Sequence, residues 1–400
     1  MLELILAAVI GVAPLTPLPP TPPPPTHSGR TRYYYIAADE LVWDYAPSGK
    51  NQITGRPFDP FQQMFMNRGP TQIGSKSKKV LYREYTDGTF RTLKPRSADE
   101  AYLGFLGPVI RAEVGDTIKV MFRNNGTHAY SMHPHGVIYD KDSEGAGYND
   151  NAGPARKGNA VPPGETFTYT WIASDRAGPG SMDGSSVLWM YHSHVNESAD
   201  INSGLIGPMI ITARGKARLD ASPIDVDKEI VVAFAETDEN LSWYIDDNIK
   251  AYTLEPDKVV KPRGPTFVDS FGQFNLRETI NGFVFGNGPP PTMRVGERVR
   301  WYLMSTTNFE LHAPHWHGNI VTVQHMKTDV VTLGTMGMMV ADMIPDNPGT
   351  WLFHCHIEPH LTQGMQGLFT VLPARVVASR GGKAGRPIRT SSATSPPALP

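Results

Sequence analysis

Cysteine is almost absent from this 400-residue chain, in which Cys355 is the single example. One cysteine excludes a disulfide within the chain. The thiol stands between His354 and His356 in the stretch WLFHCHIEPHLTQGMQ at 351–366. Because side chains alternate faces along an extended strand, Cys355 would point one way and both histidines the other. Such a strand could serve two metal sites back to back, although a lone buried cysteine is also a common core residue.

Excess charge of one sign is missing as well. The 37 lysines and arginines nearly balance the 39 aspartates and glutamates, which leaves a formal net charge of -2. A nucleic-acid-binding chain usually carries a basic face or stripe. The balance of charges therefore gives no support to a nucleic-acid partner.

Long hydrophobic runs are also missing. The stretch Leu4–Ala13 is too short to cross a bilayer, so no membrane span is predicted. It resembles the apolar part of a secretory signal, although the basic residues that normally precede such a part are absent. The proline-rich segment 14–25 follows as an extended spacer. We interpret residues 1–27 as a candidate signal segment and spacer, which predicts a secreted or periplasmic protein, and residues 377–400 as a disordered tail.

Sustained helical periodicity is scarce, and short β-rich runs take its place. Clusters of Gly, Pro, Asn and Asp separate these runs, as they do between the strands of β-sandwiches. The pattern predicts an all-β fold in which any helices are short. The predicted strands lie at Arg32–Ala37, Val80–Tyr85, Thr117–Arg123, Thr166–Ile172, Gly207–Thr212, Ile230–Phe234, Arg298–Met304, Ile320–Val323 and Gly367–Leu372.

The body of the chain contains an internal duplication, because several motifs recur in the same order at similar offsets. The simplest account is two copies of one β-sandwich, at 28–215 and 226–376, with a charged linker around 213–228. The paired motifs are EVGDTIKVMF (113–122) with RVGERVRWYL (294–303), HPHG (133–136) with HWHG (315–318), and WMYHSH (189–194) with WLFHCH (351–356).

Most of the 13 histidines fall in or beside these repeated motifs. They include four His-x-His pairs, two in each copy. On a strand, both rings of a pair share one face. One such pair arises easily by chance, but four at equivalent places predict metal binding, and imidazole suits copper, zinc, iron and nickel. The pairs are His133 and His135, His192 and His194, His315 and His317, and His354 and His356.

The second copy carries further ligand candidates that the first copy lacks. His312, Cys355, His360 and Met365 supply two imidazoles, a thiolate and a thioether, which is the ligand set of a blue-copper site. The comparison predicts one blue copper per chain, with Met365 as its weak axial ligand. The corresponding first-copy residues are Tyr130 for His312, Ser193 for Cys355 and Ser198 for His360.

The motifs HPHG, YHSH, HAPHWHG and HCHIEPHLTQGM resemble, in order, the four copper motifs of the multicopper oxidases. Stretches such as YYYIAADELVWDYAP, LGFLGPVIRAEVGD and YHSHVNESADINSGLIGPMII resemble the domains of ceruloplasmin, hephaestin and the coagulation factors. The resemblance covers about 32–373 and implies two cupredoxin-like Greek-key β-sandwich domains. Having two domains, the chain is similar to the small-laccase group of two-domain multicopper oxidases.

The resemblance implies four coppers per chain and gives each paired histidine a role. The blue, or type 1, copper would be joined by a type 2 copper on His133 and His315 and by a type 3 pair. These three coppers would form a trinuclear cluster, with Tyr139 nearby. The type 3 ligands would be His135, His192, His194, His317, His354 and His356.

The resemblance also implies a reaction and an assembly. A small reducing substrate would donate single electrons to the type 1 copper through His360 or His312 at the protein surface. The electrons would pass through Cys355 to His354 and His356, and dioxygen would be reduced to water at the cluster. In two-domain members of the family, a cyclic homotrimer places each cluster between subunits.

The electron donor stays open at this point. Ceruloplasmin-type iron oxidases hold Fe(II) with acidic residues and a histidine, but this chain has Gln273, Glu278 and Pro359 at three of those positions. Glu278 and Glu358 could still bind a cation. The reducing substrate is therefore predicted to be a phenol or other organic donor, as in laccases, or a metal ion, with a ceruloplasmin-type ferroxidase or cuprous oxidase as the alternative. The complete histidine pairs disfavour a two-domain copper nitrite reductase and a non-enzymatic copper carrier.

Overall fold

The computed structural model describes residues 29–150, 156–261, 270–306 and 310–375. The candidate signal segment and spacer at 1–27 and the predicted tail at 377–400 lie outside the described residues. The described residues form four β-sheets, which pair into two sandwiches that follow one another along the chain. The predicted all-β class is confirmed.

The first sandwich is built from nine strands. One sheet has the order β2-β1-β4-β7-β6 and the other has the order β3-β9-β8-β5. Strand β1 runs antiparallel to β2 and parallel to β4. The strands are β1 (Thr31–Asp44), β2 (Lys76–Glu84), β3 (Ile110–Glu113), β4 (Thr117–Asn124), β5 (His133–Pro134), β6 (Ile138–Tyr139), β7 (Thr166–Ile172), β8 (Ser186–His192) and β9 (Ile206–Thr212).

The second sandwich repeats this arrangement. Its sheets have the orders β11-β10-β13-β17-β15-β16 and β12-β19-β18-β14, and β10 runs parallel to β13 as β1 does to β4. The strands are β10 (Lys228–Asp238), β11 (Leu276–Ile280), β12 (Thr292–Arg294), β13 (Val299–Ser305), β14 (Pro314–Trp316), β15 (Val321–Val323), β16 (Met326–Thr328), β17 (Met338–Met343), β18 (Gly349–Cys355) and β19 (Gln366–Leu372).

The helices are short, as predicted. The first begins with Pro60 behind an Asp59 cap, and the Asp59 and Gln62 side chains each bond the other's backbone N–H, which satisfies two amide donors at the helix start. No helix in the described part of the chain is long and apolar enough to cross a membrane. The α-helices are α1 (Pro60–Met66), α2 (Glu197–Asn202), α3 (Ile245–Tyr252), α4 (Ser270–Gln273) and α5 (Glu358–Gln363), and 3₁₀ turns occur at Ala98–Leu103, Lys157–Asn159, Asp175–Ala177, Glu239–Leu241 and Pro256–Lys258.

All nine predicted β-rich runs fall on observed strands. Strand β4 shows the expected alternation, because every second residue is buried in the core of the first sandwich. Strands β9 and β13 are buried along their whole length and show no polar face. Both lie in sheets that the two sandwiches cover from either side, which explains why their sequences are almost continuously apolar.

The two sandwiches share a hydrophobic interface. Side chains on the outer face of β8 and β9, among them Met190 and Ile210, form one cluster with side chains on β10 and β13, such as Val231 and Met304. Arg300, which is only 3% exposed, reinforces this interface. Its guanidinium binds Asp342 in its own sandwich and the Ser185 and Ser186 hydroxyls of the other. The relative orientation of the sandwiches is therefore fixed by packing and by buried polar contacts.

Candidate metal centres

Three side chains of the second sandwich meet in a buried pocket. Cys355 ends β18, His360 lies on α5, and His312 precedes β14. The Cys355 Sγ atom lies 3.4 Å from His360 Nδ1 and 3.9 Å from His312 Nδ1, and the two Nδ1 atoms are 3.2 Å apart. None of the three residues is more than 1% exposed. The structure thus brings three of the four predicted type 1 ligands together.

Backbone hydrogen bonds hold this pocket in place. The Ala313 N–H donates to Cys355 Sγ at 3.3 Å, and the Cys355 N–H donates to the Met365 carbonyl at 3.1 Å. Helix α5 is followed by Gly364, whose φ of +123° suits glycine, and Met365 N–H then donates to the His360 carbonyl at 2.9 Å. Met365 is fully buried in the same hydrophobic core as Cys355.

The residues of this pocket fit a copper ion. A first-row metal bonds to nitrogen and sulfur at about 2.0–2.3 Å, so one ion can contact atoms that lie 3.2–3.9 Å apart. Burial lowers the pKa of His312 to about 3, which keeps its imidazole in the neutral form that binds metals. Burial raises the pKa of the Cys355 thiol, but a metal deprotonates the thiol that coordinates it.

The paired histidines of the second copy form a cluster on the other side of β18. His317 Nε2 and His354 Nε2 lie 3.1 Å apart. The His315 ring centroid lies 4.8 to 5.2 Å from the centroids of His317, His354 and His356. His315 Nδ1 is 2.8 Å from the carbonyl oxygen of Asp329, which leaves its Nε2 for a metal. The four rings therefore converge as the sequence predicted.

The paired histidines of the first copy repeat this geometry. His135 Nε2 and His192 Nε2 are also 3.1 Å apart. The His133 ring centroid lies 5.3 to 5.6 Å from those of His135, His192 and His194. His133 Nδ1 is 2.7 Å from the carbonyl oxygen of Glu144. The matching contacts in the two copies show that the duplication extends to the orientation of single rings.

The close Nε2 pairs are suited to metal ions. Burial, with the neighbouring histidines, lowers the pKa of His135 to about 4 and that of His192 to about 3. Both rings are therefore neutral near pH 7. Where a backbone carbonyl holds the Nδ1–H of a neutral ring, its Nε2 is a lone-pair acceptor. Histidine rings that point such acceptors at one another form a ready set of ligands for a cation.

The two histidine clusters do not meet within one chain. Across the described residues, ring contacts and hydrogen bonds join His133, His135, His192 and His194 to one another, but none joins them to the cluster of the second copy. His356 is exposed, and the His194 side chain is 37% exposed. Each cluster is thus half of the predicted set of eight imidazoles.

Two further side chains flank the cluster of the first copy. The Tyr139 ring centroid lies 5.9 Å from that of His133, so the predicted neighbour is in place. A Glu197 carboxylate oxygen on α2 lies 3.5 Å from His194 Nε2, and the other lies 3.8 Å from His192 Nε2. The sequence analysis missed Glu197, although its position three residues after His194 was a usable signal.

An acidic pocket adjoins the type 1 pocket. Glu236 and Glu278 face each other across β10 and β11 and are 5% and 3% exposed. Glu236, Glu310 and His360 offer ligand atoms that all lie within 4.8 Å of one another, and Glu310 contacts His360 Nε2 directly. The Glu278 Oε2 atom is buried without a hydrogen-bond partner in the described structure. Burial and the nearby carboxylates raise the pKa of Glu236 to about 7.

The acidic pocket changes two expectations. His312 and His360 were expected at the protein surface, but both are buried, and Glu310, whose side chain is 53% exposed, stands beside His360. Of the two predicted cation ligands, Glu278 belongs to this pocket, whereas Glu358 is exposed at the start of α5. Sequence reasoning missed both Glu236 and Glu310. Strand pairing brings Glu236 to the type 1 pocket, whereas Glu310 lies only two residues before His312, and this position was a usable signal.

The cysteine pocket and the paired histidine clusters, on two β-sandwiches, define a copper protein of the cupredoxin class. Two sequence models described as multicopper oxidase match the chain, one at residues 102–216 and the other at residues 259–375. Together the two models cover more than half of the chain. The chain belongs to the multicopper oxidase family.

Known relatives support this assignment. The chain is 42% identical over 346 residues to the mouse protein named Ferroxidase HEPHL1, and 41% identical over 347 residues to rat ceruloplasmin. These alignments cover 85% and 86% of this chain but only 29% and 32% of the relatives. The chain thus spans about a third of the length of the curated relatives it matches.

Solved structures share the fold at low sequence identity. A crystal structure of a multicopper oxidase has a TM-score of 0.52 at 16% identity, and covers 86% of this chain and 88% of its own. A copper nitrite reductase from Nitrosomonas europaea has a TM-score of 0.52 at 18% identity, with 86% and 94% covered. At this identity the similarity supports the two-sandwich fold alone.

Proposed function

We propose that the protein is a multicopper oxidase that couples one-electron oxidation of a reducing substrate to the four-electron reduction of dioxygen to water. The observation that carries the proposal is the arrangement around β18. Cys355 faces a pocket with His312 and His360, while His354 faces the opposite cluster. Two metal sites of different chemistry would thus be joined through adjacent residues of one strand.

The residues between the two sites form a short covalent path. His354 Nδ1 donates to the carbonyl oxygen of Cys355 at 2.7 Å, so a hydrogen bond supplements the backbone route. The same bond leaves His354 Nε2 free to bind a metal. When bound, copper supplies the one-electron chemistry and the dioxygen-reducing centre, while the chain orients the ligands and keeps water from the cysteine.

We further propose that each cluster closes between two copies of the chain in a cyclic homotrimer. The outer face of β8 and β9 in the first sandwich already packs on β10 and β13 of the second. The equivalent face of the second sandwich lies on β18 and β19, where Leu352 and Leu368 are partly exposed. Repeating the same contact between copies is a head-to-tail association, which closes into a ring if the rotation permits.

Two classes of electron donor fit the proposal. A phenolic or other organic donor, as in laccases, requires only access to the rim of the type 1 pocket. A reduced metal ion is favoured by the acidic pocket, because Glu236 and Glu278 lie opposite each other and like charges at such positions destabilise a sheet. A bound cation would relieve that repulsion. The names of relatives such as Ferroxidase HEPHL1 agree with this second candidate.

Copper loading followed by spectroscopy tests the proposal. We expect four coppers per chain in the assembled protein, of which the type 1 copper gives the visible absorption of a thiolate–copper bond. Two coppers should be detected by electron paramagnetic resonance and two should be silent as a coupled pair. Oxygen uptake with Fe(II), Cu(I) and a phenol in parallel identifies the donor. Two coppers per chain, or no oxygen uptake with any donor, would contradict the proposal.

A further inference from the structure

The first sandwich retains the pocket that holds the cysteine in the second, but a carboxylate fills it. Ser193 stands where Cys355 stands, and its hydroxyl donates to Asp200 Oδ2 at 2.6 Å. The Ser131 N–H donates to Ser193 Oγ at 3.0 Å, as the Ala313 N–H donates to Cys355 Sγ. A hydroxyl–carboxylate bond in the first sandwich thus stands where the second sandwich would have a thiolate–copper bond.

Asp200, rather than Ser198, occupies the place of His360. Leu205 N–H donates to the Asp200 carbonyl at 3.1 Å, which matches the bond from Met365 N–H to the His360 carbonyl. Both connections pass through a left-handed glycine, Gly204 with φ +115° and Gly364 with φ +123°. Counting from the cysteine alone pointed to Ser198, because the loop of the first sandwich is longer.

The Asp200 carboxylate is tied to its surroundings by four donors. It is 0% exposed, and besides Ser193 it accepts from the backbone N–H groups of Val195 and Asn196, both at 3.1 Å. The fourth donor is Trp243 Nε1 at 2.8 Å, which arrives from the second sandwich. A buried carboxylate with several donors makes strong, charge-assisted hydrogen bonds.

Three of these donors lie beside the predicted type 3 ligands His192 and His194 in the sequence. Ser193 lies between His192 and His194, and Val195 follows directly. The carboxylate therefore fixes the backbone on both sides of His194, and the Ser131 hydroxyl accepts from the His194 N–H at 3.0 Å. The direction of each imidazole depends on this backbone.

We infer that Asp200 is a positioning residue, which holds His192 and His194 in the orientation needed for type 3 copper binding. In the second sandwich, copper itself would tie the strand end to α5 through Cys355 and His360. In the first sandwich, the hydrogen bond between Ser193 and Asp200 joins the strand end to α2 without a metal. The inference rests on the proposed copper binding by the eight paired histidines.

The main test is Asp200→Asn, which keeps the shape but sets an amide N–H₂ against the donors. We expect a 10- to 100-fold weaker affinity for the type 3 coppers, the usual loss when a group that orients a metal ligand is changed. The thiolate–copper absorption of the second sandwich should remain and serves as an internal measure of folding. Asp175→Asn is the matched control, since that carboxylate is 82% exposed and pairs with Arg214.

A second measurement uses the metal-free protein. Amide hydrogen exchange at Val195 and Asn196 should become faster in Asp200→Asn and in Trp243→Phe. Each variant weakens the hydrogen bonds that hold the Asp200 side chain against these amides. Unchanged exchange together with unchanged type 3 affinity would overturn the inference. If Asp200→Asn also loses the thiolate–copper absorption through misfolding, Trp243→Phe decides, since it removes one donor from outside the segment. A wild-type protein without type 3 copper would defeat the proposed function, while the exchange measurement would still test Asp200.

Discussion

The two sandwiches differ in the residues that hold the end of the strand carrying a His-x-His pair. In each, a strand ends in a His-x-His pair whose middle residue points into a pocket behind the cluster. The second sandwich places Cys355 there, within reach of two imidazoles. The first places Ser193 there, bonded to the buried Asp200. We infer that both copies fix the strand end that carries the paired histidines, and that the second copy does so with residues suited to a redox-active metal.

The largest expected effect comes from making the second pocket resemble the first. Cys355→Ser should remove the visible thiolate–copper absorption and abolish oxidase turnover, because the thiolate is both the copper ligand and the start of the path to His354. The type 3 coppers should still bind. Absorption and oxygen uptake measure both properties, and turnover at the wild-type rate would refute the electron route.

The next largest effect comes from removing one histidine from the cluster of either sandwich. His135→Ala and His317→Ala should each be inactive alone, because each removes a type 3 ligand from a different half. If clusters form between copies, mixed assemblies contain interfaces with two intact halves, and random association restores roughly a quarter of the activity. The assay is oxygen uptake after the two variants are unfolded together and refolded. Continued inactivity of the mixture, when wild-type protein recovers its activity after the same treatment, would contradict a cluster shared between copies.

A smaller effect concerns the acidic pocket that adjoins the type 1 pocket of the second sandwich. Glu278→Gln removes one of two opposed buried carboxylates, so we expect about a tenfold higher KM for a metal-ion donor with little change for a phenol. Burial also raises the pKa of Glu278, so the metal-free variant should be more stable than the wild type only at a pH high enough to ionise both carboxyl groups, where a like-charge contact is lost. Glu358→Gln, at the exposed start of α5, is the control. An equal rise in KM for both donors would remove the metal-ion assignment.

The smallest expected effect concerns the glycines with positive φ that follow α2 and α5, Gly204 in the first sandwich and Gly364 in the second. Gly204→Ala and Gly364→Ala should each cost about 1–3 kcal/mol of the free energy of unfolding, because alanine is strained at positive φ. Gly364→Ala should also weaken the type 1 absorption, because it moves Met365, whereas Gly204→Ala should not. Denaturant unfolding and absorption measure the two properties, and equal spectral changes would argue against independent pockets.

The repeated motifs predicted much of the site before any coordinates. The four His-x-His pairs converge in two clusters, and His312, Cys355 and His360 meet. Strand alternation predicted that both rings of a pair share one face, and the resemblance to the copper motifs of multicopper oxidases supplied the grouping of motifs that are distant in sequence. The acidic pocket was not predictable in the same way. Glu236 and Glu278 are far apart in sequence and become neighbours only through the β10–β11 register.

The sequence by itself determined the all-β class, the duplication and the set of candidate metal ligands, because each depends on local patterns of alternation and spacing. Tertiary structure alone decided that Asp200 replaces His360, that Glu236 adjoins the type 1 pocket, and that the two histidine clusters of one chain stay apart. These features depend on which strand pairs with which and on how two rigid sandwiches pack. Such long-range contacts are set by the burial of whole faces.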